Sequence, residues 1–258
     1  MLGWSINLFR IGGIQLAVHF SFLLLLAVNA FDGYADAGWP GLWWSTAVLA
    51  AFFGCVVLHE LGHCLTAIRF GVNVPRILLL PIGGMAEFDG IPREPRREVL
   101  ITVAGPAVNF VIAGLLWLAL PPAGAAESSG EIPTLTESLH LLLRWNLAMG
   151  LFNLLPAFPM DGGRLLRATL AVRLPYLRAT FWAATCGKVV CVAGAAVALW
   201  LGEPLLIVLF AFIFFVGEME YRAARRRELD DAHWRAVIAR QLAAAGDGDD
   251  AGRVSPQS

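Results

Sequence analysis

The chain has 258 residues, 58% of them hydrophobic and only 15% charged, with a formal net charge of −1. Soluble domains carry closer to a quarter charged residues, and nucleic-acid binding calls for a basic face. A water-soluble monomer and a nucleic-acid partner are therefore both excluded.

The apolar residues fall in long blocks. A helix crossing the hydrocarbon needs about 20 of them, and six stretches qualify: 14–30, 43–70, 99–120, 139–155, 181–201 and 205–217. The first has no cleavage-site pattern and reads as a retained span rather than a signal peptide. The fifth is interrupted by Lys188, and the sixth extends toward Tyr221. Between the second and third spans the chain reads GVNVPRILLLPIGGMAEFDGIPREP, short β-favouring runs punctuated by proline and glycine. That pattern predicts a re-entrant hairpin. Asn153 to Arg164 reads NLLPAFPMDGGR, a broken segment that survives at membrane depth only inside protein or beside a wet cavity. The predicted fold class is thus an all-α polytopic membrane protein of about six transmembrane helices, with a re-entrant β-hairpin-like segment. Residues 1–220 form the membrane-embedded domain. Residues 221–258 form a charged cytoplasmic helix followed by a disordered tail, GDGDDAGRVSPQS.

Basic residues orient the spans. The loops at 31–42 and 121–138 carry Asp32, Asp36, Glu127, Glu131 and Glu137 and no Lys or Arg. Arg10, Arg69, Arg76, Arg93, Arg96, Arg97, Arg164, Arg167, Arg173, Arg178 and the 222–227 cluster lie on the other side. Both termini are expected in the cytoplasm of a cell membrane, and the Ala- and Arg-rich composition suggests a bacterial source. Arg144 and Lys188 fit the scheme as interfacial, snorkelling side chains. Cys55, Cys64, Cys186 and Cys191 sit in apolar stretches without a CxxC pair and read as small packing residues.

Chemistry concentrates at His59-Glu60-Leu61-Gly62-His63, an HExxH motif at the end of the second span. Residues four apart share a helix face, so His59 and His63 can present two imidazoles to one Zn²⁺, with Glu60 placed to reach a water. Random placement of five histidines and eleven glutamates gives about 0.004 such motifs. Ionisable residues inside a membrane span are costly and mark function. A catalytic zinc needs a third protein ligand. His19 is a lone helical histidine, His140 is on the outer side and His233 is in the tail. Asp161, followed by Gly162-Gly163, returns to the depth of the two histidines, but spacing alone leaves it open between a ligand and a helix N-cap.

HELGH in a membrane helix, AGPAVN (104–109) in the next and NLLPAFPMDGGR (153–164) resemble the site-2 protease family of zinc intramembrane metalloproteases. RIGGIQLAVHFSF and LLLPIGGMAEF add to the resemblance, which runs from about residue 10 to 217. It implies one Zn²⁺ per chain held by His59, His63 and Asp161, with Glu60 as general base. It also implies that Asn109 and Asn153 lie near the site, orienting substrate or an oxyanion; interhelical hydrogen bonding is the competing role for Asn109. The PDZ insert and the CBS pair found in many relatives are not expected in this chain. The implied activity is an endopeptidase cutting in or near transmembrane segments of other proteins. A catalytically silent scaffold or a metal transporter is the competing reading, and Glu60 argues against it. Leu78 to Phe88, with Gly83 and Gly84 in it, is expected to pair with an extended substrate. The expected partners are the lipid bilayer and transmembrane substrates, with a homo-oligomer left open.

Overall fold

The computed structural model describes residues 4–90, 94–122 and 132–251, with side chains through Gln241. Arg93, Glu127 and Glu131 lie outside the described residues. The elements in chain order are β1 (Ser5–Ile11), β2 (Ile14–His19), α1 (Phe20–Arg69), β3 (Arg76–Leu80), β4 (Gly83–Glu87), α2 (Pro95–Ala119), α3 (Leu135–Asn153), α4 (Asp161–Ala171), α5 (Tyr176–Leu201) and α6 (Pro204–Ala251).

Residues 14–19 do not open a membrane helix; they form β2, the buried second strand of a four-stranded sheet in the order β1-β2-β3-β4. The cause is the turn before them. Gly12 and Gly13 both take positive φ, 56° and 91°, which a two-residue hairpin of the favoured twist requires, and Ile11 pairs with Ile14 across it. The helix starts only at Phe20, where His19 Nδ1 accepts from the Ser21 amide at 3.2 Å. The fold is therefore mostly helical with a small sheet, not all-α. β2 pairs with β3 in parallel, across a connection supplied by the whole of α1. β3 and β4 form the expected hairpin, with Leu80 opposite Gly83, and β4 is an edge strand.

α1 is two helices meeting at a kink: Ala37 and Gly38 leave helical geometry, Gly38 at φ 64°. Its arms fold back on each other. The Phe22 and Phe53 rings meet at 4.5 Å, and Ser45 Oγ donates to the Asn29 carbonyl at 3.2 Å. The predicted loop at 31–42 is thus mostly helical, and the turn is confined to a few residues. α5 and α6 are joined at Gly202, left-handed at φ 75°.

Phe20–Arg69, Pro95–Ala119, Tyr176–Leu201 and Pro204–Gln241 are long and apolar enough to cross a bilayer; this is a multi-pass membrane protein. α3 opens on a capping box in which Thr134 and Glu137 satisfy each other's backbone. Two charged groups are partnered across helices. Lys188 is ion-paired to Glu218 on α6. Arg167 on α4 is 4% exposed and donates from Nε to Glu98 of α2 at 3.0 Å and from Nη1 to Glu220 of α6 at 3.3 Å, tying three helices. The helix α6 runs through Ala251, so residues 246–251 of the expected tail are helical; residues 252–258 lie outside the described residues. The Leu-Ala-Ala-Ala run at 242–245 carries helix propensity past the charged stretch.

Candidate metal centre

Two elements bring the predicted ligands together. His59 and His63 are one turn apart on α1 and 3% and 5% exposed; Asp161 is the first residue of α4 and 7% exposed. The helix N-cap is Met160, so the Asp161 side chain does not cap. It turns instead to the histidines: Oδ2 lies 3.3 Å from His59 Nε2 and 3.2 Å from His63 Nε2. Close packing allows this approach. A Cβ at Gly162 would collide with the Leu154 and Leu155 carbonyls, so α4 seats directly on the broken segment after α3.

The protonation pattern follows from what the far ring nitrogens touch. His63 Nδ1 is 2.7 Å from the Ile101 carbonyl, which only accepts. His59 Nδ1 is 2.5 Å from Asn109 Oδ1. Both Nδ1 atoms must donate, so in the neutral rings both Nε2 atoms carry lone pairs. Yet these two Nε2 atoms face each other at 3.1 Å, and Asp161 Oδ2 beside them is buried with no donor among the described residues. Three lone pairs pointing at one another repel unless a cation sits among them. Ligands about 2.05 Å from a tetrahedral ion are about 3.3 Å apart, close to the 3.1, 3.3 and 3.2 Å found here. The donor set fits one divalent metal with an open fourth position. Gly105 on α2 leaves the space: a Cβ there would overlap His63 Nε2 and stand 2.8 Å from His59 Nε2.

The open side is a cavity of about 510 Å³ lined by Glu60, the three ligands, Asn153, Arg164 and the β4 strand. Glu60 packs against β4: a Cβ at Gly84 would come within 2.5 Å of Glu60 Cγ and 3.1 Å of its Oε1. Gly83, at φ 137°, has open space around it. The two hairpin glycines therefore have different surroundings, which the sequence does not distinguish. Asn153, the last residue of α3, lines the cavity. Asn109 does not. It is fully buried behind His59 and hydrogen-bonded on its other side to Asn146 of α3. His19, His140 and His233 are not part of the cluster.

Sequence reasoning missed two residues. Asn146 on α3 is fully buried and accepts from Asn109 Nδ2 at 2.9 Å; a lone amide inside an apolar stretch was the available signal. Arg164, one turn past Asp161, lines the cavity with its Nη2 buried and without an acceptor among the described residues.

A polytopic helical protein whose buried histidines and aspartate form a metal-ligand set beside a glutamate defines the class of membrane-embedded metallohydrolases. Residues 47–127 and 122–194 match Peptidase family M50. The chain is 39% identical over 221 residues to a zinc metalloprotease of Methanocaldococcus jannaschii, covering 86% of this chain and 62% of that one. It is 32% identical over 241 residues to Rip3 of Mycobacterium tuberculosis, covering 87% and 58%. The solved site-2 protease from Methanocaldococcus jannaschii superposes with a TM-score of 0.60 at 37% identity, over 84% of this chain and 95% of that one. The chain belongs to the M50, or site-2 protease, family, and it spans about 60% of the length of these two curated relatives.

Proposed function

We propose that the protein is a zinc-dependent intramembrane endopeptidase that hydrolyses peptide bonds in or near transmembrane segments of other membrane proteins. The carrying observation is the convergence of two Nε2 lone pairs and an Asp161 oxygen within 3.3 Å of one another, beside Glu60 in one cavity. His59, His63 and Asp161 hold the zinc. When bound, zinc supplies Lewis acidity to a water and to the scissile carbonyl. Glu60 takes the proton of the attacking water and passes it to the leaving amine. Asn153 and Arg164 donate to the oxygen on which negative charge develops; the unpartnered Nη2 of Arg164 supports that role.

A helical substrate hides its carbonyls, so the segment to be cut must unwind. β4 is an edge strand along the cavity, and an extended substrate adds to it as a further strand. We further infer six crossings, counting the two arms of α1 and α3 separately, with both termini in the cytoplasm of a bacterial cell membrane. His63 is six residues from Arg69, about 9 Å along the helix, which sets the zinc inside the bilayer near the cytoplasmic face. Residues 1–220 form the protease domain, and 221–258 form a cytoplasmic appendage.

Glu60→Gln tests the reading. The variant should keep one zinc per chain and lose about 10²–10⁴-fold in cleavage of a reconstituted transmembrane substrate. Turnover at the wild-type rate would refute it.

A further inference from the structure

We propose that Asn146 is a positioning residue that, acting through Asn109, holds the His59 imidazole in the tautomer whose Nε2 can bind metal. The proposal rests on the zinc reading above.

The two histidine ligands are held differently. His63 Nδ1 donates to a backbone carbonyl, that of Ile101, at 2.7 Å. A carbonyl has no donor form, so the His63 tautomer is fixed by the main chain alone. His59 Nδ1 instead meets a side-chain amide, Asn109, at 2.5 Å. An amide is ambiguous: turned by half a rotation, it offers Nδ2 rather than Oδ1. His59 Nδ1 would then accept, and its proton would move to Nε2. That N–H would point at His63 Nε2 and Asp161 Oδ2, and one of the three metal-binding lone pairs would be gone.

Asn146 removes the ambiguity. Its Oδ1 accepts from Asn109 Nδ2 at 2.9 Å, which keeps Asn109 Oδ1 toward the histidine. The orientation of Asn146 is fixed in turn, because its Nδ2 donates to the Leu142 carbonyl at 2.9 Å. The relay ends on a main-chain acceptor, so the direction of every bond in it is determined. Both amides are fully buried. Among the described residues, the one other hydrogen-bond partner of Asn109 Nδ2 is Met149 Sδ at 3.6 Å, a weak acceptor. Supporting groups of this kind orient metal-bound histidines, and their loss costs about 10–100-fold in metal affinity.

The test measures zinc affinity by chelator competition on the purified full-length protein in detergent, with helicity and thermal stability followed alongside. Asn146→Leu should weaken zinc binding about 10–100-fold. Asn146→Asp, which when protonated keeps an acceptor for Asn109 and a donor for Leu142, should stay within about three-fold of wild type. The decisive comparison is made in the Asn109→Asp background. A carboxylate presents oxygen to His59 whichever way it turns, so adding Asn146→Leu there should change affinity by less than about three-fold. This double variant also answers the case in which Asn146→Leu alone folds poorly. Equal affinity of Asn146→Leu and wild type overturns the proposal. So does an equal loss from Asn146→Leu in both backgrounds, which would mean packing rather than amide direction. Wild-type protein that binds no zinc would instead sink the underlying function.

Discussion

The electronics of the centre are decided by atoms one bond-length behind the ligands, and its space by hydrogens where side chains would be. Gly84 lines the cavity beside Glu60, while Gly105 packs against the two histidine rings, and their substitution should separate binding from turnover. A methyl at Gly105 enters the volume of both Nε2 atoms, so Gly105→Ala should lower zinc affinity about ten-fold or more, read by metal content after dialysis against a chelator. A methyl at Gly84 presses instead on Glu60 Cγ, Cδ and Oε1. Gly84→Ala should keep its zinc while cleavage falls about 10²-fold, the scale of a 1 Å misplacement of a reacting group. Gly83→Ala, facing open space, reports only backbone strain at its positive φ. If Gly84→Ala and Gly105→Ala lose zinc alike, the division between ligand space and base space is wrong. None of this is readable from GGM or AGP as letters. HELGH names the ligand pair because i and i+4 share a helix face, but steric neighbours from other helices leave no local trace.

Among the elements, α4 is the one the site depends on most, since it carries Asp161 and Arg164 yet is short and broken off from α3. Its anchor is Arg167, whose buried side chain reaches Glu98 on α2 and Glu220 on α6 and lies over the Phe158 and Tyr176 rings at 5.3 and 5.0 Å. Removing one partner of a buried pair leaves the other charge uncompensated and costs about 3–5 kcal/mol. Arg167→Leu should therefore lower the thermal midpoint sharply, and the double change Arg167→Leu with Glu98→Leu should recover much of that loss. A double variant as unstable as the single would show that the pair is not the anchor. Here the sequence was partly legible. Proline and glycine in NLLPAFPMDGGR announced a broken segment, and the helix boundaries of α2, α3 and α5 fell near those expected. The sheet was half missed. Ile14 to Val18 is apolar except for Gln15, and a short, largely apolar run does not separate buried strand from helix by periodicity. The Gly12-Gly13 pair was the cue, since only glycine takes both positive φ angles at low cost. The ion pairs Arg167–Glu98 and Lys188–Glu218 join residues far apart in sequence, so each appeared as an isolated charge.

For the molecule as a whole, the decisive question is which way the bundle faces, because the depth of the zinc follows from it. If the charge asymmetry orients the chain as proposed, the kink of α1, with exposed Asp36, lies on one side and the exposed arginines of α6 on the other. The arms of α1 are antiparallel, so β1 to β4 and the end of α1 with its HExxH motif lie opposite the kink. If the basic side is cytoplasmic, a thiol-reactive, membrane-impermeant reagent gives a definite pattern. In a background with Cys55, Cys64, Cys186 and Cys191 replaced by alanine, Asp36→Cys should label in intact cells stripped of their outer envelope. Arg226→Cys should label only after the membrane is opened. Inverted vesicles should reverse the two results. Labelling of both positions from one side would mean an odd number of the crossings between them was miscounted, and the six-crossing topology would fail. The reverse pattern would keep the bundle and its site but turn the substrate's exit toward the outside, so that the released fragment would leave the cell rather than enter it.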